Sequence, residues 1–123
     1  MTTFSVRLEI GDVTATRFEA LEAVVDTGST FTTVPRNLLE RLGVEPSGRE
    51  RFRIANGESI ENDVGDATVR LAGKQRTTTV VFGEVGEPAL LGTVTLEALL
   101  LGVDPIQQTL VPIEGLRISR SLI

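Results

Sequence analysis

The residues with the clearest capacity for chemistry are Asp26-Thr27-Gly28-Ser29. Asp26 directly follows the apolar run Ala23-Val24-Val25, where a carboxylate is costly to bury unless it is paired or hydrogen-bonded. Gly28 allows a tight backbone turn that brings amide N–H groups up to that carboxylate. A carboxylate held in this way keeps its negative charge in a dry site. The same residues also fit an Asx-type turn, in which Asp26 does no more than close a loop.

The composition narrows the chemistry. The 123 residues include no Cys, His, Trp or Tyr, so a Ser-His or Cys-His nucleophile is excluded. The usual zinc ligand sets are missing apart from carboxylates, and no metal or cofactor is expected. Any catalysis must come from carboxylates or hydroxyls. No disulfide can form, which fits a reducing, cytoplasmic setting. With 12 basic and 17 acidic side chains the net charge is −5, which argues against nucleic acid as a partner. Hydrophobic residues make up 41% and charged residues 24%, a globular balance, and the length suits one domain over residues 1–123. Charges break up residues 1–9, and Gly92, Thr93, Thr95 and Glu97 interrupt the apolar stretch 88–103. Neither a signal peptide nor a membrane span is expected.

The elements that must position Asp26 read mostly as short strands. Phe4, Val6, Leu8 and Ile10 alternate with polar residues, the period of a half-buried strand. Gly11-Asp12 breaks the pattern, and residues 13–22 read as the returning strand of a hairpin. Thr32-Thr33-Val34 is β-branched and predicts a further strand. Pro35 then opens a short helix at its first position, with Leu38, Leu39 and Leu42 on one face and Gly43 as the stop. Residues 49–54 alternate again. Asn56-Gly57 predicts a two-residue hairpin turn, because both positions tolerate positive φ. Residues 58–71 and 75–82 read as strands, with 72–74 turning between them; the run Thr77-Thr78-Thr79 is read as strand propensity alone. After a loop at 83–88, Ala89-Leu90-Leu91-Gly92 reads as a short strand ending in glycine. A helix follows, capped by Thr93 or Thr95, with Leu96, Leu99 and Leu100 inward and Gly102 ending it. Residues 109–113 and 116–123 look like terminal strands. The expected class is all-β with one or two short helices.

Taken together, these motifs resemble the aspartic proteases, and by size the retropepsin-like group. That family carries two apolar residues before Asp-Thr-Gly-Ser or Asp-Thr-Gly-Ala, here Val24-Val25-Asp26-Thr27-Gly28-Ser29. Its pepsin-like members continue with four residues and Val-Pro, here Val34-Pro35. A second signature, two apolar residues and a glycine before a late helix, matches Leu90-Leu91-Gly92. Val103-Asp104-Pro105 and Leu110-Val111-Pro112 are similar to segments of a small single-domain prokaryotic group in clan AA. The resemblance covers about residues 4–113 and implies a retropepsin-like β-barrel. It also implies that Ile54, Ala55, Asn56, Gly57 and Glu58 form a flap over peptide substrate.

What the resemblance implies for chemistry is a pair of carboxylates sharing a proton around an activated water, the established example of carboxyl groups splitting their pKa values. The chain holds one Asp-Thr-Gly. Asp63-Val64-Gly65 has the glycine spacing, but Glu61-Asn62 precedes it instead of an apolar strand. The second carboxylate is therefore expected from Asp26 of a partner copy across a two-fold axis. By the same resemblance Thr27 hydrogen-bonds across the dimer, Gly28 supplies a backbone N–H, and Ser29 bonds the outer oxygen of Asp26. Gly92 packs against the active-site loop as a structural residue. The pepsin-like flap tyrosine is missing, which favours the retropepsin branch.

Other features read as surface. Arg49, Arg51 and Arg53 alternate on one strand face, either a solvated row or an attraction for acidic substrate residues. The cluster Glu58, Glu61, Asn62, Asp63 and Asp66 lacks the spacing of a calcium loop and reads as solvated flap and loop charge. The expected activity is an aspartic endopeptidase acting as a homodimer on peptide or protein substrates. The alternative from another class is a dimeric peptide-binding module of the same fold with little turnover.

Overall fold

The computed structural model describes residues 3–117. It is mostly strand with two short helices. Strand β1 (Ser5–Gly11) pairs antiparallel with β2 (Phe18–Val25) in the register Leu8↔Leu21. The returning strand starts later than the sequence suggests, because Asp12 organises residues 13–17 into a turn. Its Oδ1 accepts the amides of Thr16 and Arg17, and its Oδ2 accepts the hydroxyls of Thr14 and Thr16.

The remaining strands close on this pair. They are β3 (Thr32–Pro35), β4 (Gly48–Arg53), β5 (Ser59–Leu71), β6 (Lys74–Gly83) and β7 (Leu90–Leu91). The order β1-β2-β7-β3-β6-β5-β4, with β5 also pairing β1, makes a closed ring with β4 hanging outside it. The length of β5 allows this. Residues Ser59 to Val64 pair β4, Val64 to Leu71 pair β6, and Thr68 to Arg70 also pair β1. Strand β7 lies parallel to β2 and antiparallel to β3.

Alternation points one face of each strand inward, and Leu8, Ile10, Val25, Val34, Val69, Val80, Phe82 and Leu91 are all 2% exposed or less. Helix α1 (Arg36–Arg41) adds Leu38 and Leu39 to this core, and α2 (Thr93–Ala98) adds Leu96. Pro35 is the residue before α1 and the last of β3, not the first helical position; Gly43, at φ +76°, does stop the turn. No helix among the described residues is long and apolar enough to cross a membrane.

Three local expectations change. The tip of the β4–β5 hairpin is not a two-residue turn. The Ile54 amide donates to the Glu58 carbonyl and the Gly57 amide to the Ile54 carbonyl, and Gly57 alone has positive φ (+88°). This is the three-residue loop with a glycine in the left-handed position. The tight two-residue turn falls at Ala72-Gly73, between paired Leu71 and Lys74, with φ of +54° and +76°. After α2 the chain leaves the helix at Leu99 and passes through Leu100, which has φ +54° and is 36% exposed instead of inward. Gly102 lies inside strand β8 (Leu101–Asp104), which pairs β9 (Thr109–Pro112) in a separate two-stranded sheet. Of the strand expected at 116–123, Leu116 and Arg117 have no regular structure, and the rest lies outside the described residues.

The outlying hairpin is fastened to the barrel by Asp63. Arg36 Nη2 donates to its Oδ2 at 2.7 Å and Arg49 Nη1 to its Oδ1 at 2.9 Å, while the Arg36 guanidinium lies 5.0 Å over the Phe82 ring. The Arg36 hydrogen bond, followed by that of Arg49, holds the Asp63 carboxyl below its ordinary value. The fold therefore favours the ionised form. Its contribution is present above the unfolded value near about 4 and is lost as pH falls through the lower folded value. Asp63→Asn should lower the melting temperature at about pH 7, and lower it progressively less below about pH 4. Thermal unfolding of both proteins across that range checks it; a difference that does not vary with pH would contradict it.

Candidate active site

Asp26 sits where β2 runs out against β7. The amides of Val24 and Asp26 donate to the carbonyls of Ala89 and Leu91 at 2.9 and 3.0 Å, so Asp26 is the last rung of a parallel ladder. Its half-buried carboxylate is then turned back on its own loop. Oδ1 accepts the Gly28 amide at 2.9 Å, and Oδ2 accepts the Ser29 hydroxyl at 3.1 Å. The Ser29 amide donates to the Asp26 carbonyl at 3.1 Å. The bond from Gly28 is an Asx-type turn, so the local reading and the chemical one describe the same geometry. Thr27, at the crest, is exposed and makes no side-chain hydrogen bond among the described residues.

Helix α2 braces this loop from below. Its first amides are the ones a helix leaves without partners. Thr93 N–H donates to the Ser29 carbonyl at 2.9 Å and Val94 N–H to the Thr30 carbonyl at 3.0 Å. Neither Thr93 nor Thr95 caps the helix; Gly92 holds the cap position without a side-chain bond. Gly92 is forced by space, because a Cβ there would lie 2.5 Å from the Phe31 oxygen and 2.9 Å from the Ser29 oxygen. Its amide donates to Thr32 Oγ1 at 3.1 Å.

The β4–β5 hairpin reaches the same loop through aromatic contact. Phe52 and Phe31 meet edge to face with centroids 6.0 Å apart. At the tip, Arg53 Nη1 donates to the Gly57 carbonyl at 3.0 Å and Asn56 Oδ1 accepts the Glu58 amide. Ile54, Ala55, Asn56, Gly57 and Glu58 are all exposed.

A family model described as aspartyl protease matches residues 6–104. The chain belongs to that family. A comparison with curated protein sequences finds no match. Among solved structures, the chain is similar to EIAV protease complexed with an inhibitor, at 18% identity and TM-score 0.55, over 78% of this chain and 86% of that one. It is similar to the retroviral protease-like domain of Ddi1 from Leishmania major, at 19% identity and TM-score 0.55, over 94% and 91%. It is also similar to a retropepsin-like aspartic protease from Rickettsia conorii, at 22% identity and TM-score 0.50, over 88% and 88%. At these identities the likeness is one of fold, and the fold of this aspartyl protease family member is retropepsin-like.

Within that fold, Asp26, Gly28, Ser29, Leu91 and Gly92 come together as direct neighbours, with Leu90 paired to Val24 beside them. Thr27 stands next to them but faces outward, and residues 54–58 lie just beyond the Phe31–Phe52 contact, which falls one rung below the hairpin's tip. Asp63 sits mid-strand between two arginines, and Gly65 serves a close approach, since a Cβ there would lie 2.8 Å from the Glu45 oxygen. The arginine row is exposed as a solvated face would be, yet Arg49 and Arg53 also hold the hairpin.

Sequence reading missed a buried cluster under the site. Thr32 Oγ1 lies 2.6 Å from Thr95 Oγ1, which lies 3.1 Å from Thr78 Oγ1. Thr78 is more than part of a β-rich run. Its signal was parity: Thr78 shares a strand face with Val80 and Phe82, and Thr32 with Val34, so both hydroxyls point into the core.

Gly92→Ala should lower stability by at least about 2 kcal/mol, because the new methyl meets backbone oxygens that cannot move aside. Gly48→Ala, whose methyl would meet only Val64 Cγ2 at 3.9 Å, serves as the comparison and should change little. Urea unfolding of the three proteins measures both; equal stability of wild type and Gly92→Ala would contradict the close approach.

Proposed function

We propose that this protein is an aspartic endopeptidase whose catalytic centre forms between two copies. Residues 1–123 would be one such domain. Asp26 and Asp26 of the partner subunit would face each other across a two-fold axis and share one proton. The ionised carboxylate takes a proton from water as the oxygen attacks the peptide carbonyl. The protonated one gives its proton to that carbonyl oxygen. On collapse of the tetrahedral intermediate the protonated carboxyl gives its proton to the amine nitrogen as the C–N bond breaks, and the other carboxylate takes one hydroxyl proton as the new carboxyl forms, releasing two peptides and leaving the pair with one proton. The observation that carries this reading is the Asp26 carboxylate at the end of an apolar strand, each oxygen held by one donor of its own loop. A monomer offers half of that centre.

Thr27 fits the same assembly. Its exposed hydroxyl stands at the crest of the loop, where it can bond the partner's loop, and the β4–β5 hairpin would act as the flap over a peptide substrate. A cytoplasmic location belongs to the proposal, since a chain without cysteine needs no oxidising compartment.

Two experiments test it. On a mixed peptide library, wild type should cleave and Asp26→Asn should not, and the rate should follow a bell whose limbs lie at or below neutrality. Equal cleavage by both proteins, or a rate still rising at alkaline pH, would refute the mechanism. Binding of peptide without any cleavage would favour the non-catalytic module of the same fold.

Assembly gives the second. Specific activity should fall on dilution, with rate following the square of protein concentration once the dimer dissociates. Thr27→Val should weaken the dimer by about 1–3 kcal/mol by leaving cross-axis groups unpaired. Sedimentation beside the activity dilution series decides it, and a fully active monomer would rule out the shared site.

A further inference from the structure

The buried threonines under the site form a chain with one consistent direction. Gly92 N–H donates to Thr32 Oγ1, so the hydroxyl proton of Thr32 needs an acceptor, and Thr95 Oγ1 is at 2.6 Å. The Thr95 proton then goes to Thr78 Oγ1 at 3.1 Å, and the Thr78 proton to the Thr79 carbonyl at 3.5 Å. Only this order gives every hydroxyl proton a partner. All three side chains are buried, at 0%, 0% and 6% exposure for Thr32, Thr95 and Thr78, and no buried side-chain polar atom among the described residues is left unpartnered. A chain of donors and acceptors in a dry interior polarises each member toward the next.

The near end of the chain is a single peptide unit. The Gly92 N–H that feeds Thr32 and the Leu91 C=O that accepts the Asp26 amide at 3.0 Å belong to the same planar group. Drawing on its N–H strengthens its C=O as an acceptor, and fixing one edge of the plane fixes the other. Asp26 is thus attached, through one rigid plane, to a line of hydroxyls running from β3 through α2 to β6.

We propose that Thr95 is a positioning residue for Asp26. Its hydroxyl joins Thr32 to Thr78 and thereby holds the Leu91–Gly92 peptide plane that anchors the Asp26 backbone. The proposal rests on the endopeptidase reading for its effect on rate, and on geometry alone for its effect on the Asp26 amide.

The test uses Thr95→Val, which keeps the shape and removes the hydroxyl, and Thr95→Ser, which keeps the hydroxyl and removes a methyl. Two quantities are read: kcat and KM on a peptide cleaved by wild type, and hydrogen exchange of the Asp26 and Gly92 amides relative to the strand amides of β5 and β6. Thr95→Val should lower kcat on the order of tenfold with KM within about twofold, and speed the relative exchange of both amides on the order of tenfold. Thr95→Ser should restore both. Thr78→Val, one link further from Asp26, should move both quantities the same way by less, and it stands in if Thr95→Val does not fold. Unchanged kcat and relative exchange in folded Thr95→Val, or equal losses in the Val and Ser variants, would overturn the proposal. If wild type and Asp26→Asn are equally inactive, the endopeptidase reading falls, and the exchange ratios alone decide the positioning.

Discussion

The structure around Asp26 depends on how closely α2 can approach the loop after β2. At Gly92 the backbone of the helix entry passes so near the backbone of Ser29 and Phe31 that a single Cβ has no room. That approach lets Thr93 and Val94 donate to Ser29 and Thr30, so the open start of the helix and the carbonyls of the loop satisfy each other. It also lets the Leu91 carbonyl receive the Asp26 amide while the Gly92 amide reaches Thr32. Move the two segments apart by the width of a methyl and all of these bonds lengthen together.

The barrel exists to hold those two segments side by side. Strand β7 is only two residues long and could not hold a position by itself. It is gripped on one side by β2 in parallel and on the other by β3, which is gripped in turn by β6. The ring then closes through β5 onto β1, whose partner is β2. Closure leaves the ring no free edge, and a short strand inside a closed ring is as fixed as a long one. The hairpin that hangs outside the ring has no such constraint. It is attached near its base through Asp63 to Arg36 and further out through Phe52 to Phe31, and its tip stays exposed.

Much of this was legible in the chain, and the parts that were not share a cause. Strand alternation such as Phe4-Val6-Leu8-Ile10 reports burial of one face, and burial is what the structure preserves. The Asp26 loop was legible because aspartate after an apolar run is costly unless its oxygens find donors, and they do. Turn geometry was less so. Asn56-Gly57 carries the residues of a tight turn, yet the tight turn forms at Ala72-Gly73, where long paired strands on both sides fix the register and override residue preference. The end of α2 is hard to read from the chain because Leu99 and Leu100 continue the helical pattern, while β8 draws the chain away after Ala98. The threonine cluster was hidden because Thr suits a strand by its branching alone, and only the packing of α2 against β3 and β6 shows where the hydroxyls meet.

The site is braced from one side and open on the other. Below Asp26, the peptide plane, the helix entry and the buried hydroxyls leave little freedom. At the crest, Thr27 and Gly28 are exposed. Each carboxylate oxygen has taken one donor from its own loop and keeps acceptor capacity for another. A loop serving only as a turn would be as well satisfied with its crest in water and would gain nothing from a brace this deep. On the proposed reading, the depth has a purpose. Two carboxylates that share a proton repel whenever both are charged, and two loops that yielded to that repulsion would drift apart. Holding each loop from behind, by backbone packed too tightly to shift, keeps the pair at bonding distance without asking the interface alone to do it.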